Sequence, residues 1–112
     1  MLRFDIVYQN VRGLNTKTDE LYLAASVIDA DLILLTETWL TDKVLSSELF
    51  PNNFTVFRND RAEGRGGGVL TAVVNSFKNE YISIINVYIP PSSTHADYCQ
   101  FFDYLESSID FK

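Results

Sequence analysis

The sequence predicts an α/β domain built on a mixed β-sheet, and three observations point there. Residues 3 to 10 and 32 to 36 are apolar runs of strand length separated by an amphipathic stretch of helix length, the spacing of a parallel strand–helix–strand unit. Phe54-Thr55-Val56-Phe57 and Val69 to Val74 are β-prone runs joined by a polar, glycine-rich connection, which suits an antiparallel hairpin. The 112 residues, 46% hydrophobic and 21% charged, suffice for one core and one domain spanning 1–112.

The elements follow in order. Phe4, Ile6 and Tyr8 alternate with more polar neighbours, a period of two that predicts a first strand with that face the more deeply buried. Gly13, Asn15 and Thr16 break the pattern, and Thr18 is placed to cap a helix whose first turn carries Asp19 and Glu20, favourable beside the positive helix end. Leu21, Ala24, Ala25 and Ile28 make its apolar stripe, and Asp29-Ala30-Asp31 ends it. Leu32-Ile33-Leu34-Leu35-Thr36 is too short for a buried helix and suits a strand covered on both faces.

A right-handed crossover between these two strands brings their carboxyl ends to one rim, so Asn10 and Glu37 are expected side by side. One helical turn is expected near Val44 to Leu49, then the hairpin, then a fifth strand from Tyr81 to Ile89 stopped by Pro90-Pro91. Thr94 or Ser93 is placed to cap a last helix with Tyr98, Phe101, Phe102, Leu105 and Ile109 as a core-facing stripe.

Nine Lys plus Arg against fifteen Asp plus Glu give a formal net charge of −6. That is the wrong sign for gripping nucleic acid by counterion release alone, so a polyanionic substrate would need a divalent cation or the local basic cluster Arg58, Arg61 and Arg65. Cys99 is the sole cysteine and excludes an intrachain disulfide, which suits a reducing, intracellular setting, nuclear or cytoplasmic. No apolar stretch approaches the roughly 18 residues of a membrane span, and the amino terminus has no leader pattern.

Asn10-Val11-Arg12-Gly13-Leu14, Leu35-Thr36-Glu37-Thr38-Trp39-Leu40, Gly66-Gly67-Gly68-Val69 and Asn86-Val87-Tyr88-Ile89-Pro90-Pro91 stand in the order of motifs in the endonuclease/exonuclease/phosphatase superfamily. The wording resembles the amino-terminal half of the apurinic-endonuclease-like domain of non-LTR retrotransposons, which is similar to bacterial exonuclease III. The resemblance implies a partial four-layer α/β sandwich, a mixed β-sheet with flanking helices, that hydrolyses DNA phosphodiesters with Mg²⁺ or Mn²⁺. It implies Asn10 and Glu37 as metal ligands and Tyr88 as the phosphate-site residue. Mg²⁺ prefers hard oxygen donors and takes one or two carboxylates plus water and substrate oxygens, so this ligand pair suits it.

Each residue also has a structural reading. Asn10 can be a strand-ending turn former, Tyr88 a sheet aromatic, and Trp39 packing beneath the rim. Glu37 directly after a buried strand is costly unless it lies at the rim or is paired. The stretch from Asp60 to Gly68 lacks the Lys-Ser/Thr of a P-loop and leads into a strand, so it reads as a hairpin connection; in a second reading Arg61 and Arg65 reach a nucleic-acid backbone. His95 reads as exposed or capping, and Cys99 shows no His or Asn partner pattern.

The match stops short of the family's Gly-Asp-Phe-Asn and closing Ser-Asp-His segments, which carry a second metal-side Asp and the general-base His. It also leaves no room between Val74 and Tyr81 for a further family strand. The expectation is a catalytically incomplete domain fragment, with association through an uncovered sheet edge. The alternatives are a noncatalytic remnant or binding module, and a phosphatase-type member of the superfamily.

Overall fold

A computed structural model describes residues 4–61, 66–76, 83–90 and 93–108, with the side chains of 105–108 outside that description. The elements are β1 (Ile6–Asn10), α1 (Thr18–Val27), β2 (Leu32–Thr36), α2 (Ser46–Leu49), β3 (Phe54–Asn59), β4 (Val69–Val74) and α3 (His95–Ser108). The sheet is four-stranded in the order β1-β2-β4-β3. β1 and β2 are parallel, with Asn10 opposite Thr36, while β4 runs antiparallel to both β2 and β3. The architecture is α/β with a mixed sheet, as the spacing of the runs implies.

Strand periodicity divides the sheet into two unlike faces. On one, Val7, Ile33, Leu35, Leu70, Ala72, Phe54 and Val56 pack with Leu21 and Ala25 of α1 and with Leu49 and Phe50 around α2. Leu49 and Leu70 are fully buried, and each contributes roughly 2 kcal/mol through the apolar surface it removes from water. Neighbouring rings of Phe50 and Phe54, 5.5 Å apart and tilted, close this layer near α2.

The other face differs from expectation. Ile6, Tyr8 and Phe57 project from it and stay 54%, 61% and 61% exposed, so the face of β1 expected to be buried is the open one, and Val7 reaches the core. The cause lies in the helices: α1 and α2 pack on the Val7 side, and periodicity in a single strand cannot say which face a helix covers. Among the described residues, two layers of the expected sandwich are present, the sheet and the helices on one side of it.

Three further expectations change. Of the strand expected from Tyr81 to Ile89, residues 81 and 82 lie outside the description and 83–89 form no ladder; the segment passes the open face, where Ile84 lines a hollow with Phe57, Thr71 and Val73. α1 starts at Thr18 itself, with Lys17 at the N-cap and no side-chain cap, and its Ile28 end is exposed. α3 is capped as the sequence suggests, Thr94 Oγ1 accepting from Asp97 N and Asp97 Oδ2 from Thr94 N. Of its expected core-facing stripe, Tyr98 and Phe102 are exposed, Phe102 to 54%, and Phe101 is half-buried, while the Leu105 and Ile109 side chains lie outside the described residues. Among the described residues, no helix is long and apolar enough to cross a membrane.

Candidate functional site

The parallel strands β1 and β2 end at the same level, and both chains then turn sharply. Val11 N donates to Thr36 O at 3.0 Å, Gly13 N to Glu37 O at 2.8 Å and Leu14 N to Thr38 O at 2.9 Å, so residues 11–14 are laced to residues 36–38. Arg12, Glu37 and Trp39 all adopt left-handed backbone conformations, with φ of 49°, 56° and 57°. Such residues each cost about 1–3 kcal/mol and persist where surrounding structure fixes them, commonly at functional sites.

The kink at Glu37 lifts its carboxylate out of the buried strand onto the open side of the rim. There it lines one cleft with Tyr88 and acts electrostatically on the Tyr88 hydroxyl. Residue 88 is held in place by its neighbour Asn86, whose Nδ2 donates both hydrogens, to Leu35 O at 3.1 Å and Leu70 O at 2.8 Å. Tyr8 lies on the same face, its hydroxyl 3.1 Å from Thr36 Oγ1. Asn10 stands opposite Thr36 in the register, exposed and one position short of Glu37. The structure therefore brings Glu37 and Tyr88 to one cleft and sets Asn10 on the same rim.

Partial burial, then the charge of the neighbouring Glu37 carboxylate, raise the Tyr88 hydroxyl above the ordinary tyrosine range, with Arg12 pulling the other way. The folded hydroxyl thus keeps its proton to higher pH than an unfolded one. Any stability this contributes is complete below a pH of about 10 and is lost as pH rises through the raised value. Tyrosinate absorbance, taken as the difference between the wild type and Tyr88→Phe, should show a titration above that of free tyrosine. Glu37→Gln should bring it part of the way down. Ionisation at the ordinary value would mean that phenol and carboxylate do not meet in solution.

Beside this pair opens a cleft of about 420 Å³, lined by Glu37, Tyr88, Asn86, Arg61 and Gly66 to Gly68 among others. The three glycines have φ of 89°, 73° and 89°, and Gly67 O and Gly68 O accept from Trp39 N and Thr38 N. A Cβ at Gly68 would lie 2.5 Å from Thr38 Oγ1, so this strap lies directly on residues 38 and 39. Beneath it Thr38 Oγ1 and Trp39 Nε1 are buried without a hydrogen-bond partner.

The basic cluster separates into different roles. Arg58 is committed to structure, since its guanidinium bonds Asp60, Val44 O and Thr41 O on the helix-covered side. That corrects its expected availability to a polyanion. Arg61 lines the cleft, and Arg65 lies outside the described residues. Cys99 does have a partner, contrary to the sequence reading: its Sγ lies 3.4 Å from His95 Nε2, one helical turn away on exposed α3. Histidine four residues before cysteine was the available signal.

Among the described residues, no three His, Cys, Asp or Glu side chains gather into a metal cage. Hard oxygen donors do share the rim, a carboxylate and a hydroxyl that line one cleft and an amide on the adjacent strand end. That donor set fits a largely hydrated divalent cation and no soft metal. Comparison with protein-family models, curated proteins and solved structures gives no match to this chain.

Proposed function

We propose that this chain is a metal-dependent phosphodiester hydrolase domain of the endonuclease/exonuclease/phosphatase type, related to the endonucleases of non-LTR retrotransposons and acting on DNA. The observation that carries the reading is that Glu37 and Tyr88 line one cleft at the carboxyl rim of parallel strands, where open α/β sheets bind ligands. Glu37 and Asn10 would hold Mg²⁺ or Mn²⁺, which neutralises charge developing on a phosphate when bound. Tyr88, on the wall of the same cleft, would offer its hydroxyl to a phosphate oxygen, and Asn86 fixes the segment that presents it.

Titrating Mg²⁺ calorimetrically and following the nicking of supercoiled plasmid test this reading. Glu37→Ala is expected to weaken Mg²⁺ binding by at least about tenfold, because it removes the carboxylate proposed as a ligand while Asp60, also on the cleft wall, is held by Arg58, and to abolish nicking. Equal binding and nicking by the variant would end the assignment.

A second reading, a module that binds cation and phosphate without turnover, is favoured by one specific observation. The chain has a single histidine, and that side chain is engaged with Cys99 on α3. No imidazole of this chain then lines the cleft to activate water. Mg²⁺ binding that depends on Glu37, without nicking, would select this reading.

A further inference from the structure

We propose that Arg12 holds a non-bridging oxygen of the bound phosphate, and is the group that makes this rim selective for an anionic diester. The inference rests on the phosphodiester reading above and adds a residue to it.

Position comes first. The bonds from Val11 N to Thr36 O and from Gly13 N to Glu37 O bracket residue 12 against residues 36 and 37, so Arg12 leaves the chain at the level where Glu37 does. Conformation comes second. Arg12 is exposed with φ of 49°, a region open to glycine without steric cost and unfavourable to a long side chain. The backbone alone would be better served by glycine there.

Charge decides between the available cations. A phosphate approaching Tyr88 meets the Glu37 carboxylate in a chain of net charge −6, so its binding needs a positive group on the same side. Arg58 is committed to Asp60, Val44 O and Thr41 O, and Lys17 Nζ donates to Val11 O at 2.9 Å. Arg61 stands on the cleft wall formed with the glycine strap. Arg12, exposed on the turn that is laced to residues 36 and 37, stands at the rim beside Glu37, and its charge bears on the Tyr88 hydroxyl from there. Its planar fork matches two phosphate oxygens, a geometry that lysine lacks.

The test uses the dinucleotide thymidylyl-thymidine and its uncharged methylphosphonate analogue, titrated by NMR in EDTA against the full chain. The wild type is expected to bind the charged form about tenfold more tightly than the neutral one, the size of one charge-assisted hydrogen bond. Arg12→Gly, which accommodates the backbone at least as well, should abolish the preference without lowering the thermal midpoint. Arg12→Gln should abolish it while keeping side-chain length, and Arg12→Lys should retain part of it.

A preference that survives in Arg12→Gly or Arg12→Gln, or its absence from the wild type, overturns the proposal. Failure of the hydrolase reading is separate: loss of the preference in these variants, with no nicking by any form, leaves the phosphate contact standing. Unaltered nicking by Arg12→Gly would remove the contact and leave the hydrolase.

Discussion

Gly13→Ala is expected to destabilise the fold by about 3 kcal/mol or more, a fall of roughly 10 °C or more in the thermal midpoint. Two effects add. Gly13 has φ of 98°, outside the regions an alanine adopts readily, and a Cβ there would stand 2.6 Å from Trp39 Cε3. Trp39 cannot easily give way, because its own backbone is left-handed and its N–H is bonded to Gly67 O at 2.9 Å. Circular dichroism melts of Gly13→Ala, Trp39→Leu and the double variant would separate the terms. The double variant should be less destabilised than the sum of the singles, because removing the indole relieves the contact and leaves the backbone cost. Strict additivity would show that ring and glycine do not touch.

Arg58→Ala should rank with it, costing about 2–4 kcal/mol. The side chain is 15% exposed and joins β3 to the irregular segment after β2: Nη1 donates to Val44 O at 2.7 Å, Nη2 to Thr41 O at 3.0 Å, and Nε and Nη2 grip Asp60 at 3.0 and 2.7 Å. Truncation leaves two carbonyls and a carboxylate without their donor in a half-buried place, which costs more than the bonds contribute. Arg58→Lys supplies charge without the fork and should recover less than half. Limited proteolysis should cut the 41–46 segment faster in both variants, and unchanged protection would refute the strut.

What the sequence disclosed depended on how local each signal was. The run from Leu32 to Thr36 and the helix before it carry their pattern within a few residues, so the parallel pair and the shared rim were readable. The hairpin of β3 and β4 was equally local, with Phe54 opposite Val74 and Asn59 opposite Val69. Which face of β1 is covered was not local: it depends on where α1 and α2 land, and there Ile6 and Tyr8 turned outward. The stretch 83–90 has the composition of a strand, yet in the described residues an amide takes the place of a ladder.

The candidate site divides in the same way. Glu37 announced itself as a carboxylate ending an apolar run, and Asn10 as its counterpart. The left-handed turns at Arg12 and Glu37 left no mark in the sequence, because neither residue type favours that conformation. They arise from the lacing of residues 11–14 to 36–38, which only the assembled rim supplies.

The placement of Tyr88 comes down to a single nitrogen. At position 86 two carbonyl lone pairs, one from each central strand, face one NH₂ group. An aspartate of the same outline would confront them with lone pairs of its own, and a leucine would leave both with nothing. The phenol is thereby steered from two residues away, by an atom whose own bonds go to the backbone of the two central strands.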